Sequence, residues 1–121
     1  MKNRKVDIMW TQYECRFGSR KELGLGDGYD GECKLYDKYI NIATDSTTLN
    51  RELNDKELEV RILETLIHEF FHAYLSETGV RIDDDVEEFL ACFLGKNWYK
   101  MNRSITDCYS FWKCHRGESN G

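Results

Sequence analysis

Residues 65–75 read Thr-Leu-Ile-His-Glu-Phe-Phe-His-Ala-Tyr-Leu and contain the pattern HExxH, from His68 to His72. On an α-helix, residues four positions apart share one face, so both imidazoles can bind a single metal ion. Glu69 follows the first histidine, where its carboxylate can reach a water molecule on that ion. The spacing therefore predicts a zinc site in which Glu69 acts on the water.

The sequence around this pattern predicts a long helix with defined ends. Asn54 is suited to the N-cap, and Glu57 three residues later completes a capping-box pattern. Gly79 is suited to the C-terminal stop. Apolar residues recur between them at helical spacing: Leu58, Ile62, Leu63, Leu66, Ile67, Phe70 and Tyr74. Since both histidines lie away from the centre of this stripe, we expect one face of the helix to pack on the core and the other to carry the metal site.

A catalytic zinc usually takes three protein ligands and leaves one position for water. Asp83–Asp85 suit the start of a second helix, where carboxylates face the positive end of the helix dipole. The apolar stripe of that helix is predicted to centre on four residues, Val86, Leu90, Phe93 and Asn97. Glu87 flanks this stripe and is the predicted third ligand, with Glu88 as the alternate.

The composition predicts one α+β domain. A chain of 121 residues with 40% hydrophobic content can bury a single core. Three runs in the first half have strand character, Val6–Trp10, Tyr13–Phe17 and Lys38–Ala43, and a glycine-rich loop spans residues 23–32. We expect a small, mostly antiparallel N-terminal sheet on the HExxH helix, followed by the glutamate-bearing helix. A C-terminal helical segment should then pack its aromatic residues on the core (Trp98, Tyr99, Tyr109, Phe111 and Trp112), ahead of a flexible tail at residues 116–121.

Charge and cysteine content exclude several classes of function. The net charge of -5 argues against a nucleic-acid surface, which needs clustered basic residues. The apolar run after the basic N-terminus is too short for a signal peptide or a membrane span, so a cytoplasmic protein is expected. Five cysteines without framework-like spacing fit reduced thiols. The HExxH pattern makes a protein or peptide substrate the expected partner, and the sequence leaves the oligomeric state open.

The run at residues 65–75, together with Glu77-Thr78-Gly79 and the segment Val86–Ala91, resembles the small phage and mobile-element HExxH proteins of the ImmA/IrrE-like group. These are minimal gluzincins, and the resemblance spans residues 28–100. It implies a zincin-like fold with His68 and His72 as zinc ligands, Glu69 as general base and Glu87 or Glu88 as the third ligand. It also implies that an extended substrate pairs with an exposed strand edge, for which Lys38–Ala43 is the candidate. Residues 92–95 depart from the FA-containing end of the fuller family pattern.

Three functional hypotheses follow. The leading one is a zinc-dependent peptidase that cleaves a specific protein partner, such as a regulator. The alternative is a zinc-stabilised, non-catalytic binding module of a phage or mobile element. A third hypothesis is a metallopeptidase-like toxin or host-interference factor of a mobile element, which has the same chemistry as the first but acts on a host protein. Glu69 favours catalysis, because zinc coordination alone does not need it. Further candidates are oxyanion donors (Tyr74, Tyr99, Tyr109 and His115) and carboxylate partners of the imidazoles (Asp45 and Asp83–Asp85).

Overall fold

The computed structural model describes residues 1–46 and 51–118. Its strands are β1 (Lys2–Ile8), β2 (Thr11–Gly18), β3 (Gly31–Lys34) and β4 (Tyr39–Ala43). Its helices are α1 (Arg20–Leu23), α2 (Asp55–Thr78) and α3 (Asp84–His115). The predicted α+β class is confirmed. The first strand ends two residues earlier than predicted, because Met9 and Trp10 form a turn with positive φ angles.

The four strands form one mixed sheet in the order β1-β2-β4-β3. The pairs β1–β2 and β3–β4 are antiparallel, whereas β2 and β4 run parallel. The prediction that Lys38–Ala43 forms an edge strand was wrong, because β4 lies between β2 and β3. Ile40, Asn41 and Ile42 are all buried, as expected of a strand with a neighbouring strand on each side. The short strand β3 is the edge of the sheet next to α2.

The core lies between the sheet and α2. Inward-facing residues of β1, β2 and β4 meet α2 residues that continue the helical stripe: Ile8, Tyr13, Cys15, Ile40, Ile42, Ile62, Leu66, Phe70 and Ala73. The other face of the sheet is polar. There the Arg16 guanidinium lies 3.9 Å from the centre of the Tyr39 ring, and the Asn41 amide donates to Glu32 at 2.8 Å. One buried and one polar face explain the alternating pattern of β2.

Both predicted ends of α2 are confirmed. Asn54 is the N-cap and forms a capping box with Glu57, and Gly79 ends the helix in the left-handed conformation at φ 74°. The last turn is held to the sheet by the Glu77 carboxylate, which accepts hydrogen bonds from three donors, Thr11 Oγ1, Tyr13 Oη and Lys38 Nζ. These contacts fix the orientation of α2, and with it the direction in which its histidines point.

Helix α3 differs from its prediction in two ways. It is a single helix of 32 residues, so the glutamate-bearing helix and the C-terminal segment are continuous. The predicted packing of the C-terminal aromatic residues on the core was wrong, since Tyr109, Phe111 and Trp112 are 54% to 65% exposed. No proline interrupts the run, and the helix continues past the body of the protein, where its residues from 101 onward are exposed. Within the described ranges, neither long helix is apolar enough over a sufficient length to cross a membrane.

The face of α3 that meets α2 is also not the predicted one. Val86 and Phe93, two members of the predicted apolar stripe, are 47% and 45% exposed. The buried residues of α3 are Ala91 and Gly95. Small residues allow two helices to approach closely but add little to a hydrophobic pattern, so the pattern pointed to the wrong face. The observed face turns Glu88 toward α2.

Candidate metal centre

The two histidines of HExxH point from α2 toward α3. One helical turn separates them, and their Nε2 atoms lie 3.3 Å apart. Both side chains are largely buried, with 21% of His68 and 17% of His72 exposed. Burial lowers the pKa of His68, which favours the neutral imidazole that binds metals. The structure thus brings together the two nitrogens that the sequence pattern predicts as ligands.

The adjacent glutamates of α3 contact different atoms of these rings. One Glu88 oxygen lies 3.1 Å from His68 Nε2 and the other lies 3.2 Å from His72 Nε2. Glu87 is on the far side of His72, where its carboxylate accepts the Nδ1 proton at 2.5 Å. Glu88 therefore faces the two nitrogens that converge, whereas Glu87 orients one of the rings.

The arrangement of His72 and Glu88 suits a cation that lies between them. In the neutral His72 ring whose Nδ1 donates to Glu87, Nε2 carries the lone pair. That lone pair faces a Glu88 oxygen at 3.2 Å, so two acceptors meet there, and a cation between them would satisfy both. Ligand atoms held tetrahedrally about 2.0 Å from a zinc ion are about 3.3 Å from each other. The 3.3 Å between the two Nε2 atoms matches this value. The Glu88 carboxylate reaches each nitrogen through a different oxygen, at 3.1 and 3.2 Å, so these three side chains can surround a zinc ion.

Glu69 lies beside this cluster and is only 8% exposed. Its carboxylate is 4.0 Å from His68 Nε2. Burial is the main cause that raises the pKa of Glu69 to about 7; the nearby Glu88 and Glu32 carboxylates act in the same direction and His72 opposes them. A carboxyl group with this pKa can both take up and release a proton near neutral pH.

Cys92 adds a thiol to the same place. It lies one helical turn after Glu88, and its Sγ is 3.6 Å from the Glu88 carboxylate. Two sets of potential ligands within the described residues have all their ligand atoms within 4.8 Å of one another. One is His68, Glu88 and Cys92, and the other is His68, Glu69 and His72.

Two glycines that the sequence reasoning overlooked allow this close arrangement. A Cβ atom at Gly95 would lie 2.8 Å from the Glu64 carbonyl oxygen, so α3 can approach α2 this closely only without a side chain there. A Cβ atom at Gly31 would lie 2.7 Å from Thr65 Cγ2 and 3.3 Å from Glu69 Cγ. A glycine inside an otherwise helical pattern was the available signal for Gly95.

A cleft of about 410 Å³ opens over Glu69 and both histidines. The loop before β3 contributes Tyr29 to its lining, and Tyr29 carries the one side-chain hydroxyl among the residues that line the cleft. Asp30 holds the loop in place, because its carboxylate accepts from Arg20 at 2.5 Å and from Arg61 at 2.9 Å. The loop is thus attached both to α1 and to α2.

The other predicted site residues lie elsewhere. Tyr74 lines an apolar groove between α2 and α3, and Tyr109 and His115 are exposed on the distal part of α3. Tyr99 lies outside the cleft as well. Asp45 accepts a hydrogen bond from the Arg20 backbone rather than from an imidazole. Asp83–Asp85 are exposed at the start of α3. The predicted oxyanion donors and aspartate partners are therefore not brought to the cluster, and Glu87 has the orienting position instead.

Comparison of the chain with protein-family models, with curated proteins and with solved structures found no match.

Proposed function

We propose that this protein is a zinc-dependent peptidase in which His68, His72 and Glu88 hold the ion and Glu69 is the general base. The observation that supports it is the convergence of two Nε2 atoms and one carboxylate at 3.1 to 3.3 Å, beside a buried glutamate. The third ligand in this proposal is Glu88 rather than Glu87. Glu87 is proposed to fix the ring of His72 through its Nδ1 proton.

The proposed mechanism assigns a separate task to each residue of the cleft. Zinc at this position would act as a Lewis acid that lowers the pKa of water and polarises a carbonyl group. Glu69 accepts a proton from the water and delivers it to the leaving amine nitrogen, for which a pKa of about 7 is suitable. Tyr29 is the proposed donor to the developing oxyanion, because it carries the one side-chain hydroxyl among the residues that line the cleft.

The proposed substrate is an extended segment of a protein or peptide. Strand β3 is a sheet edge beside the cleft, and Gly31 at its start lines the cleft together with Glu69. An extended peptide can pair its backbone with β3, which places one of its peptide bonds over the proposed zinc site. The resemblance to ImmA/IrrE-like proteins supports a specific protein partner, such as a regulator.

A second candidate function is a zinc-stabilised binding module, and Cys92 is the observation that favours it. Structural zinc sites are usually closed by four protein ligands, whereas catalytic sites keep one position open. The Cys92 thiol next to Glu88 could fill that fourth position. In this case Glu69 would be dispensable and the protein would act by docking.

Metal analysis of matched variants tests the ligand set. We expect one zinc per chain in the wild type and no zinc in His68→Ala or Glu88→Gln. Glu87→Gln is the matched control on the neighbouring residue, and it should bind zinc about 10- to 100-fold more weakly without losing the site. Loss of zinc in Glu87→Gln with retention in Glu88→Gln would reverse the two roles.

Cleavage of a peptide library separates the enzyme from the module. Glu69→Gln should keep its zinc and lose cleavage, while Cys92→Ser should keep both. If the wild type binds zinc without cleaving any peptide, and Cys92→Ser loses the zinc, the site is closed and the module is the better description.

A further inference from the structure

The distal part of α3 carries an exposed apolar stripe. Its five members share one face of the helix and are 39% to 56% exposed: Trp98, Met101, Ile105, Tyr109 and Trp112. The stripe continues the face of Ala91, which is buried against the body seven residues before Trp98. Every described residue from 101 to 118 is exposed, so no part of the described chain covers the stripe.

The chain exposes more surface than a compact protein of its mass, and the distal part of α3 contributes to this excess. An isolated helix of about 15 residues is only marginally stable in water, even with favourable residues. The chain exposes 9078 Å². A compact protein of this mass exposes about 6,800 Å². The difference of about 2,300 Å² is well above the roughly 800 Å² that each partner buries in a stable interface.

The spacing of the stripe fits a second copy of the chain. Its intervals of three, four, four and three residues read the same in both directions about Ile105. We infer that two chains pair their α3 helices antiparallel about a two-fold axis at Ile105. Trp98 of each protomer then lies opposite Trp112 of the other, Met101 opposite Tyr109, and Ile105 opposite itself. Such a self-complementary patch is what a symmetric dimer interface requires.

The neighbouring surfaces also fit this arrangement. An apolar groove of about 600 Å³ adjoins the base of the stripe at Trp98 and can receive Trp112 of the other protomer. Residues 1–95 contain 12 Lys and Arg against 20 Asp and Glu, whereas residues 96–118 contain five basic and two acidic residues. In the antiparallel pair, the basic end of each helix approaches the acidic body of the other chain.

Sedimentation equilibrium of the full chain tests the dimer. The wild type should be dimeric at micromolar concentrations, and Ile105→Glu should raise the dimer dissociation constant by at least about 100-fold, because the charge enters the interface twice. Ser110→Glu is the matched control, since it adds the same charge to the opposite face of the helix, and it should leave the dimer unchanged. Ile105 is exposed in the single chain, so circular dichroism of the variant should show a folded body.

Two results would overturn the inference: a wild type that sediments as a monomer throughout, or an Ile105→Glu variant that dimerises as well as Ser110→Glu does. If the monomer binds phosphatidylserine vesicles and Ile105→Glu does not, the stripe is instead a lipid-binding face.

A cross-link tests the position of the two-fold axis. Residues whose numbers sum to 210 lie at the same level in the proposed pair, so Ile105 faces Ile105 of the other protomer. Ile105→Cys should therefore form a disulfide between the two protomers under mild oxidation, giving a covalent dimer on non-reducing gels. Ser110→Cys, on the outer face, should not. Equal cross-linking of both variants would overturn the register.

Discussion

Replacing Glu69 with glutamine should stabilise the metal-free protein above neutral pH. Burial raises the pKa of the Glu69 carboxyl from its ordinary value of 4.5 to about 7. A carboxyl group that binds its proton more tightly in the folded state makes folding less favourable as the pH rises between these two values. Below 4.5 the group is protonated in both states and costs nothing. Above 7 it is ionised in both, and the full cost of the buried charge applies.

The size of this effect follows from the two pKa values. The difference between 4.5 and about 7 corresponds to about 3 kcal/mol of lost stability at pH values above 7. Glutamine has nearly the same shape and no charge. Glu69→Gln should therefore raise the free energy of unfolding by up to about 3 kcal/mol near pH 8 and change it little near pH 4. A gain of stability on removal of a site residue is expected where burial of the charge serves chemistry rather than folding.

Urea unfolding of EDTA-treated protein at both pH values measures this difference. Glu59→Gln, an exposed glutamate on the same helix, is the control for the loss of one negative charge. Added zinc should reduce the advantage of Glu69→Gln, because a nearby cation stabilises the ionised carboxylate. Equal stability of Glu69→Gln and wild type near pH 8 would show that the carboxylate is solvated, and the proposed proton transfer near neutral pH would lose its basis.

The remaining predictions concern packing, the sheet anchor and the cleft. Gly95→Ala should lower the free energy of unfolding by about 1–3 kcal/mol and weaken zinc binding, because its Cβ would meet the Glu64 carbonyl oxygen at 2.8 Å and displace Glu88. Urea unfolding and zinc competition measure these two effects, and unchanged values would contradict the close approach of α3 to α2. Hydrogen bonds from Lys38, Tyr13 and Thr11 lower the pKa of Glu77 to about 2, so Glu77 stabilises the fold above pH 4.5 and loses this contribution as the pH falls toward 2. Acid unfolding of Glu77→Gln should lack this pH dependence, and an unchanged acid profile would mean that the anchor contributes nothing. Tyr29→Phe should lower kcat about 100- to 1,000-fold at unchanged zinc content, and full activity in a cleavage assay would exclude Tyr29 as the oxyanion donor.

The sequence by itself determined the features that depend on neighbouring residues. The capping box at Asn54 and the left-handed Gly79 fixed the ends of α2, since both act within one helical turn. The four-residue spacing of His68 and His72 placed their Nε2 atoms close together on any helix. The α+β class followed from strand patterns in the first half and helical patterns in the second.

Only the tertiary structure decided how these elements meet. Strand β4 is interior because β2 and β3 both pair with it, and strand order depends on contacts between distant residues. Adjacent helical residues point about 100° apart, so which of Glu87 and Glu88 faces both Nε2 atoms depends on how α3 is rotated against α2. That rotation is set by close packing at Ala91 and Gly95, whose small side chains leave almost no trace in a hydrophobic pattern. The exposure of the distal part of α3 was likewise not predictable from the sequence, because a periodic stripe shows that a helix face is apolar but not which surface covers it.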